Sequence, residues 1–148
     1  MCEFVPVTKD NIGDILGMMS DFYAIDGYPI DLKKSASLFE TFVADESLGK
    51  AWMVYSDTNV AGYVILTTTF SFEYGGKIGF IDELFVKDGF RSNGIGKAAV
   101  TFIKEQATKL GLRLLYLEVE QHNTKAQELY LKFGFSTHHR QLMQYKIK

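Results

Sequence analysis

Apolar positions change their spacing several times along the chain, and each change marks an element. Phe4-Val5-Pro6-Val7 is a short apolar run that reads as a strand, and after Thr8 the residues Ile12, Ile15, Leu16, Met19, Phe22 and Tyr23 recur at the spacing of one helical face. The spacing predicts a helix from about Lys9 to Ala24. Gly27-Tyr28-Pro29 interrupts it, and Leu32, Ala36, Phe39 and Val43 restore helical spacing until Gly49. Three segments rich in β-branched and aromatic residues follow: Ala51 to Tyr55, Val60 to Phe70 and Ile78 to Val86. They are separated by Asp57-Thr58-Asn59 and Gly75-Gly76, turns short enough to imply antiparallel pairing. From Gly94 to Leu110 the period is helical again, with Ile95, Ala99, Phe102, Ile103, Ala107 and Leu110 on one side and Gly111 as terminator. Leu112 to Val119 reads as a buried strand. Asn123 or Thr124 caps a last helix carrying Ala126, Leu129, Tyr130 and Phe133, which ends at Gly134, and Phe135 to Ile147 reads as one or two final strands.

This order predicts a mixed α/β (α+β) domain, a mostly antiparallel sheet covered by about four helices. The strand Ile78 to Val86, the helix from Gly94 and the strand Leu112 to Val119 form one βαβ unit, whose strands are expected to be parallel. Ligands of such sheets lie outside the carboxyl ends of the strands. Composition adds limits. The 148 residues contain 2 Pro and no linker-like stretch, so residues 1–148 are expected to form a single domain. A net charge of -2 argues against a nucleic-acid partner. The lone Cys2 allows neither an internal disulfide nor a metal cluster, so no metal is expected. The chain starts without a leader-like segment and has no membrane-length apolar run, which points to a cytoplasmic protein without a membrane partner. The 12 Phe, 8 Tyr and 1 Trp suggest a large-ring core, a ring-lined pocket, or both.

The chemistry concentrates at Arg91-Ser92-Asn93-Gly94-Ile95-Gly96, an R-x-x-G-x-G pattern between a strand and a helix. Glycines there let a ligand approach the backbone, and the first helical turn offers unpaired N–H groups at the positive end of the helix dipole. With Arg91 and Lys97 at its edges this is a cradle for a phosphate or pyrophosphate. It is not a nucleotide P-loop, since Gly96-Lys97 is followed by Ala98 and lacks the metal-binding hydroxyl, and the Rossmann glycine pattern is also missing.

The pattern resembles the acyl-CoA signature of the GNAT superfamily of N-acetyltransferases. Leu117-Glu118-Val119, then Asn123, Ala126, Leu129-Tyr130 and Gly134-Phe135, is similar to a second motif of that family at the right separation. The resemblance implies a GNAT-like sheet in which one parallel pair opens into a V-shaped cleft holding acetyl-CoA. The backbone of Leu84, Phe85 and Val86 would line the pantetheine arm, and Arg91, Ser92, Asn93, Gly94, Ile95, Gly96 and Lys97 would meet the pyrophosphate, with Asn123 and Tyr130 completing the cofactor contacts. Ser92 and Asn93 stand where many relatives have Gly and a basic residue, which costs one cation at the cradle.

The resemblance further implies direct acetyl transfer to a primary amine of a small molecule, or of a peptide, in a ternary complex. Tyr130 would protonate the leaving thiolate. Asp82 and Glu83 are adjacent in the pantetheine strand, so in a regular strand only one can face the cleft; Glu83 is preferred as base for its reach, Asp82 or a water chain being the alternatives, and a bulge would alter the count. Phe22, Tyr23, Tyr28, Glu73, Tyr74 and Asp82 are the expected walls of the acceptor pocket, aromatic and acidic groups suited to a cationic amine. A homodimer is compatible with the resemblance. The competing function is a non-catalytic acyl-CoA sensor, which would keep the cradle and need neither Tyr130 nor Glu83.

Overall fold

A computed structural model describes residues 1–148, and its contacts divide the chain into two compact units, Met1–Glu118 and Val119–Lys148. The first unit holds one five-stranded sheet in sequential order: β1 (Cys2–Pro6), β2 (Gly49–Ser56), β3 (Asn59–Ser71), β4 (Gly76–Val86) and β5 (Leu115–Leu117). The first three pairings are antiparallel and β4–β5 is parallel, as the pattern predicts. Helices α1 (Ile12–Ile25), α2 (Leu32–Ala44) and α3 (Ile95–Lys109) flank it. The first helix begins three residues later than the apolar spacing suggests, because Lys9–Asn11 form a tighter 3-10 turn tied to Thr8 through the Asn11 side chain.

Strand alternation distributes the core between two faces. Met53, Tyr63, Ile65 and Phe85 pack with Ile15, Met18 and Met19 of α1 and Phe39 of α2. Their sequence neighbours take the other side: Val54 packs with Ile95 of α3, and Trp52 and Phe4 meet the Phe102 ring at centroid distances of 5.2 and 4.2 Å.

Two features of β4 shape the cleft. Its pairing with β5 covers only Gly79 to Ile81, opposite Leu115 to Leu117, whereas its pairing with β3 continues to Val86 opposite Gly62. From Asp82 to Val86 the β5-side edge of the strand is therefore open. The register with β3 also slips here, with Ile65 opposite Glu83 and Leu66 opposite Ile81, so Asp82 is the extra residue of a bulge. A bulge bends and twists its strand, and this one falls where the parallel ladder ends. That fits the end of β5 at Leu117, two residues short of the hydrophobic run Leu112 to Val119; at its other end the strand starts at Leu115, with Arg113 and Leu114 each making one backbone bond to β4.

The second unit contains α4 (Thr124–Lys132), whose N-terminus is capped by the Asn123 side-chain oxygen accepting from the Ala126 N–H at 3.1 Å. Gly134, at φ +95°, ends the helical run, and the Phe135 N–H returns to the Tyr130 carbonyl at 3.0 Å. The final strands expected over Phe135 to Ile147 do not form: no strand lies beyond Leu117. A strand exists only by pairing its backbone, and no residue from Phe135 to Ile147 takes part in a ladder. No helix of the protein is long and apolar enough to cross a membrane.

Candidate active site

The bulge corrects the parity expectation for the two carboxylates. At Gly79 an added Cβ would meet the Leu66, Leu112 and Leu115 side chains, so position 79, and with it 81, faces that side while Phe80 and Asp82 face the other. The extra residue then returns Glu83 to the same side as Asp82 instead of the opposite one. Both carboxylates face α1.

Glu83 accepts a hydrogen bond at each carboxylate oxygen. Tyr23, on α1, donates its hydroxyl to Oε2 at 2.7 Å, and Tyr63, on β3, donates to Oε1 at 2.7 Å. These are lengths expected of hydrogen bonds to an ionised carboxylate. Tyr63 lies diagonally across the β3–β4 ladder, since it pairs with Phe85 two residues beyond Glu83, and its side chain is fully buried. Phe22 sets the phenols in place: its ring lies 6.3 Å from Tyr23, 6.4 Å from Tyr63 and 5.3 Å from Phe85.

Opposing effects act on the Glu83 carboxyl. Burial raises its pKa most, the two phenol hydrogen bonds pull it down, and the Asp82 charge adds a further upward push, leaving it above the usual carboxylate range. Asp82 is raised by burial alone. Burial and the Glu83 charge drive both Tyr23 and Tyr63 far upward, so both phenols remain protonated donors.

A second aromatic group stands beside this one. Tyr116 on β5 lies opposite Phe80, at 5.6 Å between rings, and donates its hydroxyl to Tyr74 at 3.3 Å. Of the expected pocket residues, Phe22, Tyr23 and Asp82 thus gather around Glu83, and Tyr74 joins the Phe80–Tyr116 group. Tyr28 and Glu73 are exposed, on the loop after α1 and in the β3–β4 turn. Sequence reasoning missed Tyr63 and Tyr116. The available signal was a tyrosine inside an apolar strand, whose hydroxyl must find a partner once the ring is buried.

The glycine-rich turn has the conformation its composition suggests. Ser92 (φ +69°) and Gly94 (φ +78°) are left-handed, and the first helical bond of α3 runs from the Ala98 N–H to the Gly94 carbonyl at 3.0 Å. The N–H groups of Ile95, Gly96 and Lys97 precede it and have no partner within the helix. Ile95 is buried against Val54 and Ala61 and pins the helix start to the sheet. Arg91 braces this turn as well as charging it: its Nε donates to the Val86 carbonyl at 2.9 Å, its guanidinium lies 3.4 Å from Asp88, and it sits 5.6 Å from the Phe85 ring centre. Phe85 is itself core, so a ligand along β4 would meet its backbone.

In the second unit Tyr130 packs edge-on against Phe135 with ring centres 5.6 Å apart, and burial raises its phenol pKa. Asn123 spends its side-chain oxygen on the helix cap.

The model of the acetyltransferase (GNAT) family matches residues 15–135. The chain is 28% identical over 131 residues to the uncharacterized N-acetyltransferase MJ1207 of Methanocaldococcus jannaschii, covering 87% of this chain and 58% of that protein. The chain spans 50% and 58% of the length of two curated relatives it matches. Among solved structures, an integron cassette protein, HFX_CASS3, from the mobile metagenome of Cole Harbour Salt Marsh superimposes with a TM-score of 0.88 at 28% identity, over 98% of this chain and 90% of that one. A predicted acetyltransferase from Clostridium acetobutylicum, solved with acetyl-CoA, gives a TM-score of 0.81 at 14% identity over 98% and 96% of the two chains, a likeness of fold.

Proposed function

The chain belongs to the acetyltransferase (GNAT) family, and from that premise we propose that it is an N-acetyltransferase, moving acetyl from acetyl-CoA directly to a primary amine of a small molecule within a ternary complex. The observation that carries this reading is the Glu83 carboxylate, held by two phenols at the bulge where the β5-side edge of β4 opens. Acetyl-CoA supplies the activated acyl thioester. The residues present fit it: beyond Ile81 the β5-side edge of β4 has no strand partner and offers the backbone of Asp82 to Phe85 to an amide-bearing arm, the Val86 carbonyl being held by Arg91, and the left-handed Gly94 with the N–H groups of Ile95, Gly96 and Lys97 suits a pyrophosphate. The fold neighbour solved with acetyl-CoA supports the same choice.

The chain's own residues then divide the work. Glu83 takes a proton from the incoming ammonium so that nitrogen can attack, and a carboxyl raised above its usual range is the better matched to that task. Asp82, on the same face, attracts the cationic acceptor. Tyr130, kept protonated by burial, donates to the departing thiolate.

The test is thiol release from acetyl-CoA across a panel of polyamines, amino sugars, amino acids and peptide N-termini. Turnover on one acceptor class is expected, with Glu83→Gln and Tyr130→Phe each lowering kcat by about 100- to 10,000-fold while acetyl-CoA affinity stays within about twofold. Acetyl-CoA binding with no turnover on any amine would favour the sensor function, and unchanged kcat in either variant removes that residue from the mechanism.

A further inference from the structure

Glu83 is a costly residue to bury. Two tyrosines and a carboxylate hold α1 to β3 and β4 at a point where three apolar side chains would do so without desolvating a charge. The arrangement is also more restrictive than a single hydrogen bond. Oε1 and Oε2 are each fixed by a separate donor, from β3 and from α1, and both donors stand on rings packed around Phe22. Two fixed points on one carboxylate leave a single rotamer and a single carboxyl plane. A carboxylate has about four lone-pair positions, so two remain to accept a proton.

We propose that Tyr63 and Tyr23 are positioning residues for Glu83, orienting its carboxylate as the base from opposite ends. Their parts differ by location. Tyr63 has no exposed surface and belongs to the sheet, so it is the permanent anchor of Oε1. Tyr23 is half-buried on α1 and holds Oε2 from the helix side. The inference rests on the reading of Glu83 as the base.

The clamp has an electrostatic consequence. The groups facing Glu83 are Tyr23 from α1, Tyr63 from β3 and Asp82 beside it on β4. Burial and Asp82 both favour the protonated carboxyl, which cannot act as a base, and only the two phenols favour the carboxylate. Each phenol therefore extends the pH range over which the base is available. Removing one should raise the Glu83 titration midpoint by about one pH unit, the size of a hydrogen bond to a charged group.

This midpoint can be read without any acceptor, by NMR of carboxyl-labelled glutamate in the full chain, with Glu83→Gln identifying the resonance. The expected result is an upward shift of about one pH unit in Tyr63→Phe and in Tyr23→Phe. Fluorotyrosine introduced at position 63, a stronger donor of nearly the same volume, should move the midpoint down. It serves where Tyr63→Phe disturbs the core, because Tyr63 is fully buried. A midpoint that stays in place in Tyr23→Phe and with fluorotyrosine at 63 overturns the proposal. The base reading fails separately: full turnover in Glu83→Gln would refute it while leaving the titration shifts as measured.

Discussion

Replacing Gly94 by Asp separates the strength of the cradle from the stability of the fold. Gly94 has φ +78°, and no atom beyond its chain neighbours lies within 4 Å of where a Cβ would stand. A side chain there has room, and its cost is conformational, about 1 to 2 kcal/mol for an ordinary residue. Asp tolerates the left-handed region better than most, and its charge at the N-terminus of α3 recovers roughly 0.3 to 1 kcal/mol from the helix dipole. The net loss of stability should stay below about 1.5 kcal/mol. For a bound pyrophosphate the same charge is repulsive. Two like charges about 5 Å apart at an effective dielectric between about 20 and 80 cost roughly 1 to 3 kcal/mol, or about 5- to 150-fold in affinity. Calorimetric titration with CoA should show this loss for Gly94→Asp and a smaller one for Gly94→Ala, which carries the backbone strain without the charge. The gap between the two variants should narrow as salt rises from about 0.05 to about 0.5 M. Acetyl-pantetheine lacks the pyrophosphate and should bind Gly94→Asp as it binds the unaltered protein. Equal losses for both ligands, or CoA affinity within twofold of the unaltered protein, would refute the cradle assignment.

Two further outcomes follow from β4. Because burial raises the Asp82 carboxyl, the native state keeps that proton to higher pH than the unfolded chain, and the charge costs stability increasingly as pH rises through the native pKa. Asp82→Asn should therefore be more stable than the parent at neutral pH, by under about 1 kcal/mol since the residue is partly solvated, with the gain vanishing below about pH 4; a lower melting temperature for the variant at neutral pH would contradict this. An alanine at Gly62 would drive its Cβ into the Phe85 carbonyl, which is backbone, whereas at Gly79 it meets only leucine methyl ends at 2.8 to 3.0 Å. Urea unfolding should show Gly62→Ala at or above about 3 kcal/mol of destabilisation and Gly79→Ala nearer 1 kcal/mol, and the reverse order would place the β3–β4 contact elsewhere.

Local spacing determined much of this protein. The period of apolar residues located four helices and the strands β1 to β4 to within a few residues, because each element buries one face and its sequence must repeat with that face. The glycine-rich turn was legible for a similar reason: Gly94 takes a backbone conformation that few other residues adopt readily, and the chain records that need at one position. Long-range pairing was not recorded in this way. The hydrophobic runs Leu112 to Val119 and Phe135 to Ile147 look like strands, yet only Leu115–Leu117 becomes one, since a strand depends on the partner edge available as well as on its own residues. The site was decided at the same level. Asp82 and Glu83 are neighbours whose relative direction hangs on one unpaired residue opposite Ile65 and Leu66, and the two phenols that fix Glu83 come from positions 60 and 20 residues away in the chain. The sequence marked a carboxylate and a ring-rich surrounding. The tertiary structure turned both carboxylates to one face and chose Tyr23 and Tyr63 as the partners of Glu83, because the Tyr63 bond exists only once β3 pairs with β4 and the Tyr23 bond only once α1 has packed on the sheet.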